Sequence, residues 1–116
     1  MPAPFLSPVD SVAVIFASQR RSDGHGRWAE EVAYCTASDA MDQLARAQPG
    51  FAGVVATRGL DGFGITVSYW VDDAAAKAWR DHFDHARIRD LGRHRWYDWY
   101  SVTVARVERG YDWANQ

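Results

Sequence analysis

The chain alternates between two kinds of apolar pattern. Residues 11–19 (Ser-Val-Ala-Val-Ile-Phe-Ala-Ser-Gln) are β-branched and apolar with no helical period, which predicts a strand. A polar, Gly-containing loop follows over 20–26. Over 27–47 the apolar positions Trp28, Val32, Cys35, Met41 and Leu44 recur near helical spacing, so this stretch predicts a helix. Its weak point is Thr36-Ala37-Ser38-Asp39, because Ser and Asp favour caps over helix interiors. Pro49-Gly50 stops it. Residues 51–58 and 63–71 predict two strands around a Leu60-Asp61-Gly62 turn, a hairpin. Asp72 or Asp73 caps a second helix from Ala74 to about Leu91, bent near His82 and ended by Gly92. A long last strand is expected over 95–109.

The order is strand, helix, strand, strand, helix, strand. This is the ferredoxin-like split βαβ arrangement, an α+β fold with a four-stranded antiparallel sheet and both helices on one face. Residues 1–10, with three of the four prolines, read as an irregular arm; 11–111 form the domain and 112–116 a tail. Alternation adds a further expectation. Val12, Val14 and Phe16 face one way in the first strand, Ala13, Ile15 and Ala17 the other, so both faces are apolar. The last strand behaves alike. Helices cover one face, and a second copy of the chain is expected to cover the other, giving a homodimer with sheet packed on sheet.

Composition narrows the classes. With 116 residues, 47% hydrophobic and 24% charged, the chain is one globular domain. A net charge of −2 gives no general attraction to nucleic acid or anionic membrane. Cys35 is the only cysteine, which excludes an intrachain disulfide or thiolate metal cluster and suits a cytoplasmic location. The start of the chain has neither the basic region nor the apolar run of a signal peptide.

Several motifs have simple readings. Gly24-His25-Gly26-Arg27-Trp28-Ala29 matches G-x-G-x-x-A, but a hairpin follows instead of a second βαβ unit, so a loop is expected, not a dinucleotide site. Gly59 to Gly64 reads as a hairpin turn. His82 and His85 lie three apart on one side of a helix; without a clear third ligand they read as surface or pocket-edge histidines rather than a metal site. Cys35, mid-helix with no basic neighbour, is not placed as a nucleophile. Arg20, Arg21, Arg93 and Arg95 flank strand ends, where solvated loop charge is the default.

The aromatic series carries the most information. Six tryptophans occur, five after position 69: Trp70, Trp79, Trp96, Trp99 and Trp113. Such rings suit a slot for a flat organic ligand. Thr66, Ser68 and Trp70 share one strand face, setting hydroxyls beside an indole. Trp96 and Trp99, three apart on the expected last strand, point to opposite faces, and Trp113 is peripheral.

The block Gly64-Ile65-Thr66-Val67-Ser68-Tyr69-Trp70, then Ala78-Trp79, His85, Gly92-Arg93, Trp96-Tyr97 and Val107-Glu108-Arg109, resembles the antibiotic biosynthesis monooxygenase family. Ser18-Gln19-Arg20 and Gln48-Pro49-Gly50-Phe51 fit the same pattern. Relative to it, the stretch between Arg20 and Ala40 is longer by about two helical turns and contains Trp28 and Tyr34. The resemblance implies the dimeric α/β-barrel fold, with a pocket between sheet and helices.

It also implies activities. Family members include cofactor-independent oxygenases of aromatic polyketides and haem-degrading monooxygenases. The former have an asparagine four residues before the tryptophan matching Trp70; this chain has Thr66. The latter have an asparagine near the end of the first strand, where this chain has Ser18 or Gln19. They also have a tryptophan matching Trp79 and a histidine that His85 matches after a shift of one helical turn. The expectation is a cofactor-independent monooxygenase of a flat phenol or quinol. In it His85 is the base or proton shuttle and Trp70 and Trp79 are the slot walls. Gln19, Thr66, Ser68, Tyr97 and Arg93 bind substrate. The alternatives are haem binding through His85 or His82, and a dimeric protein that binds a small ligand without turnover.

Overall fold

The computed structural model describes residues 10–115; the expected arm over 1–9 lies outside them. The elements are β1 (Val12–Arg20), α1 (Glu31–Arg46), β2 (Phe51–Arg58), β3 (Phe63–Trp70), α2 (Asp73–Arg80), α3 (Phe83–Arg95) and β4 (Tyr97–Arg106). The sheet order is β2-β3-β1-β4, antiparallel at every pairing. This is the ferredoxin-like arrangement, with its second helix in two pieces.

β4 ends at Arg106, short of the expected 109, and three other departures have a local reason. Helix α1 begins at Glu31, not Arg27. The Asp23 carboxylate accepts from the backbone N–H groups of His25 and Arg27, and Ser22 bridges to Trp28, so the chain curls before it can wind. The second helix does not merely bend near His82. His82 takes an extended backbone (φ −59°, ψ 133°), which separates α2 from α3. Gly92 does not end α3, which continues to Arg95; a Cβ at Gly92 would sit 3.0 Å from the Tyr97 ring, so glycine lets β4 approach the helix. Trp96 therefore follows α3 as its cap instead of lying in the strand.

The core gathers at the Val12 end of β1. Val12, Trp70, Ala76 and Trp79 are buried together, with Val14, Met41, Leu44, Ala45, Phe51 and Ala75 around them. Helix α2 forms because Asp72 caps it, accepting from the Ala75 N–H at 2.8 Å, and because Ala76 and Trp79 lie three apart on its inner face. Gly50 (φ 83°) stops α1 and lets the turn into β2 approach α2; a Cβ there would come within 2.5 Å of the Ala75 methyl. Burying Trp70 and Trp79 contributes about 3 kcal/mol each at most.

The opposite face of the sheet is open and apolar. Ile15, Val67 and Tyr69 are half-buried, while Val55, Phe63, Ile65 and Trp99 are exposed. Phe63 and Trp99 meet there, with ring centroids 5.9 Å apart. Trp113, beyond β4, is exposed.

Candidate functional site

The register sorts the expected site residues by face. Val12, Val14, Phe16, Ser18 and Arg20 alternate toward the helices, and Trp70, Ser68 and Thr66 pair with Val12, Val14 and Phe16. Thr66 and Ser68 therefore share the helix side with Trp70, as alternation requires. Gln19 does not. It falls on the other parity, and its side-chain amide donates to the Asp61 carbonyl at 2.8 Å, holding the β2–β3 turn. A Cβ at Gly62 in that turn would strike both Gln19 and Trp28, so Trp28 of the longer segment also packs against the turn.

At the Val12 end, Trp70, Trp79 and His85 form a ladder. Trp70 is fully buried, and its Nε1 donates to Ser68 Oγ at 3.0 Å. Trp70 stacks on Trp79 at 5.8 Å and 23°, and Trp79 stacks on His85 at 4.5 Å and 28°. His82 also meets the Trp79 ring, at 5.8 Å. The structure thus brings Trp70, Trp79 and His85 together, but with no slot between the indoles: at that separation they fill the space themselves.

His85 is oriented for proton transfer. Its Nδ1 lies 2.9 Å from the Trp79 carbonyl, which only accepts, so Nδ1 carries the hydrogen and Nε2 keeps a lone pair. Burial pushes its pKa down from 6.5, partly offset by the bond to Trp79, with the Arg89 and His82 charges adding to the fall. The ring is neutral at pH 7. Beside it, two buried nitrogens lack a partner: His82 Nδ1 and Arg89 Nε. Such orphans cost about 1–3 kcal/mol each.

The far end of β1 has different chemistry. Arg20 is buried yet fully engaged. Its Nε donates to the Trp96 carbonyl at 3.2 Å, Nη2 to the Ala29 carbonyl at 2.7 Å and Nη1 to Glu31 at 3.2 Å, while the guanidinium lies 3.6 Å over the Tyr34 ring. Arg58 Nη2 donates to the buried Ser18 Oγ at 2.7 Å and Nη1 to the Gly62 carbonyl at 2.6 Å. Tyr97 packs on Phe16 and Tyr34 at 5.6 and 5.8 Å. Burial, then the neighbouring Tyr34 phenol, pushes its pKa well above the tyrosine range, so it remains a neutral phenol. Arg93 Nε donates to the Tyr100 hydroxyl. Arg93, Tyr97, Asp98, Trp99 and Tyr100 line an open cavity of about 370 Å³, near the lower end of ligand-site sizes.

Two expected substrate residues, Arg93 and Tyr97, therefore meet at this end, while Thr66 and Ser68 line the sheet between the two ends. Sequence reasoning did not single out Arg58, named Tyr34 only as part of the longer segment, and read Arg20 as loop charge. The parity of Arg20 with Phe16 and Ser18 was the available signal. Cys35 is exposed and donates to Glu31, which raises its pKa, so it is a weak nucleophile.

Neither of the two cavities described offers a haem macrocycle a place beside His85. A macrocycle needs a cavity beside the ligating ring, but His85 is stacked on Trp79. The second cavity, about 280 Å³, touches Trp79 from the side of Gln48, Pro49 and Ala75, and neither cavity is lined by His85.

The helix-backed, four-stranded antiparallel sheet has the fold of solved antibiotic biosynthesis monooxygenase structures. Among solved structures, a single-residue variant of SnoaB, a cofactor-independent oxygenase from Streptomyces nogalater, superposes with a TM-score of 0.71 at 12% identity, covering 88% of this chain and 97% of that one. A candidate antibiotic biosynthesis monooxygenase from Nitrosomonas europaea gives 0.70 at 10% identity, covering 89% and 95%. Rv0793 from Mycobacterium tuberculosis gives 0.67 at 21% identity, covering 82% and 92%. No protein-family model matches the chain. The uncharacterized protein YqjZ of Bacillus subtilis (strain 168) is 42% identical over 97 residues, 84% of this chain and 79% of that protein, and this chain belongs to its family.

Proposed function

We propose that this protein is a homodimeric, cofactor-independent monooxygenase of flat, electron-rich phenols. One observation carries the reading. His85 is half-buried, neutral and tied through Nδ1–H to a backbone carbonyl, which leaves Nε2 as a base. Likeness of fold to SnoaB supports the reaction class. A phenol needs to bring only one hydroxyl to the Nε2 edge, a smaller demand than a macrocycle makes. Nε2 takes the phenol proton, and the phenolate passes one electron to dioxygen. The two radicals then join, as a peroxide, at a hydrogen-bearing ring carbon ortho to the phenolate oxygen. Loss of that carbon's hydrogen and cleavage of the O–O bond give a quinone and water, so one phenol and one dioxygen are consumed. Thr66 and Ser68 on the sheet, with Arg93 and Tyr97 farther along, hold the ring and its oxygens.

The dimer rests on the open apolar face. Val55, Phe63, Ile65 and Trp99 are exposed on a strip that a second sheet would cover. Sedimentation velocity at micromolar concentration checks it; a stable monomer refutes it.

A second reading, ligand binding without turnover, is favoured by the closed stack of Trp70 on Trp79. An oxygen electrode separates the two. With naphthalene-1,4-diol, the oxygenase takes up dioxygen faster than the buffer control, and His85→Ala loses at least about tenfold of that rate. Quenching of tryptophan fluorescence by the diol without oxygen uptake establishes binding alone. Unchanged turnover in His85→Ala removes the base assignment.

A further inference from the structure

Two unpartnered nitrogens flank His85 along the chain. His85 and Arg89, four apart, share one face of α3, and His82 stands at its entry. His82 and His85 both touch the Trp79 ring. His82 Nδ1 and Arg89 Nε are buried and have no hydrogen-bond partner. The described carboxylate close to them, Asp81, is taken by Arg80 at 3.0 Å. A fold normally satisfies buried donors, and does so at the other end of β1 for Arg20. Two unpartnered nitrogens beside a neutral base are positions for an acceptor, one oxygen to each.

We propose that His82 Nδ1 and Arg89 Nε bind the carboxylate of the ligand, so that the substrate is a hydroxylated aromatic acid whose phenol then meets His85 Nε2. This deepens the oxygenase reading and rests on it for the His85 step, whereas the carboxylate seat itself does not. One carboxylate oxygen accepts from each nitrogen, a charge-assisted pair that also fixes the ring's orientation. His82 donates from Nδ1–H, the role a carboxylate oxygen requires of it.

The test compares 1,4-dihydroxy-2-naphthoate with naphthalene-1,4-diol by anaerobic isothermal titration, which prevents turnover. The naphthoate is expected to bind at least about tenfold more tightly. The double variant His82→Gln, Arg89→Gln, shown folded by circular dichroism, is expected to bind the two equally. Histidine side-chain resonances of the wild-type protein give a readout independent of the variant: the naphthoate should shift the His82 ring signals and the diol should not. Equal affinities in the wild type, a preference that survives the double substitution, or unmoved His82 signals would each overturn the proposal. A clear naphthoate preference with no oxygen uptake from either compound would retain the carboxylate seat and remove the oxygenase.

Discussion

The two ends of the helix-side face treat their charged and titratable groups differently. At the Arg20 end, a guanidinium 1% exposed finds two backbone carbonyls, a carboxylate and a phenol ring. At the His85 end, Trp70 Nε1 is matched by Ser68, but His82 Nδ1 and Arg89 Nε are not matched at all. Arg20 ties β1 to the loop before α1 and to the start of β4, so its burial belongs to the architecture. Trp96 Nε1 is also buried and unmatched at the Arg20 end, so one open nitrogen does not mark a working surface; two beside a neutral imidazole are the stronger sign.

Mutations can break this contrast. Trp70→Ala has the largest expected effect, a loss of about 3–5 kcal/mol in urea unfolding, because a fully buried indole leaves a cavity among Val12, Phe51 and Trp79. Arg20→Met comes next, at about 2–4 kcal/mol in the same measurement, since the Ala29 carbonyl loses its donor and the Trp96 carbonyl keeps only the Arg21 N–H. Arg89→Leu should run the other way and stabilise the fold by up to about 1 kcal/mol, the sign expected when a group with an unmet donor is removed. A loss of more than 1 kcal/mol there would mean that Arg89 is architectural, like Arg20.

The smallest effect is on pH dependence. His85 is harder to protonate folded than unfolded, so its contribution to stability is complete above pH 6.5. It is lost as the pH falls through that value toward the lower folded pKa. Thermal melts from pH 7.5 to 5 should show a decline that His85→Gln flattens; an equal decline in the variant assigns it to other groups.

Much of the fold was legible in the sequence. β2 matches expectation at both ends, and the apolar parity of β1 anticipated both the helix-covered face and the uncovered one. The chain break at His82 was visible only as a bend, because no proline or glycine marks it and His82 simply adopts an extended backbone. The site was less legible. His85 and Trp79 do meet, but whether two indoles flank a gap or stack depends on helix placement, which periodicity does not carry. Gln19 was placed in the pocket by family likeness, against its own parity with Ala13, Ile15 and Ala17. The role of Tyr34 escaped because α1 has no buried residue to mark its inner side, and only the Arg20 guanidinium above the ring reveals it.

The stack of Trp70 on Trp79 gives the protein an optical signature of its own. Two indoles with centroids 5.8 Å apart and planes 23° from parallel couple their electronic transitions, which splits the circular dichroism band into a pair of opposite signs. His85, on the other indole contact, quenches Trp79 emission more strongly when protonated. Light absorbed and emitted by one pair of rings therefore reports both whether a ligand has parted the ladder and whether its terminal imidazole holds a proton.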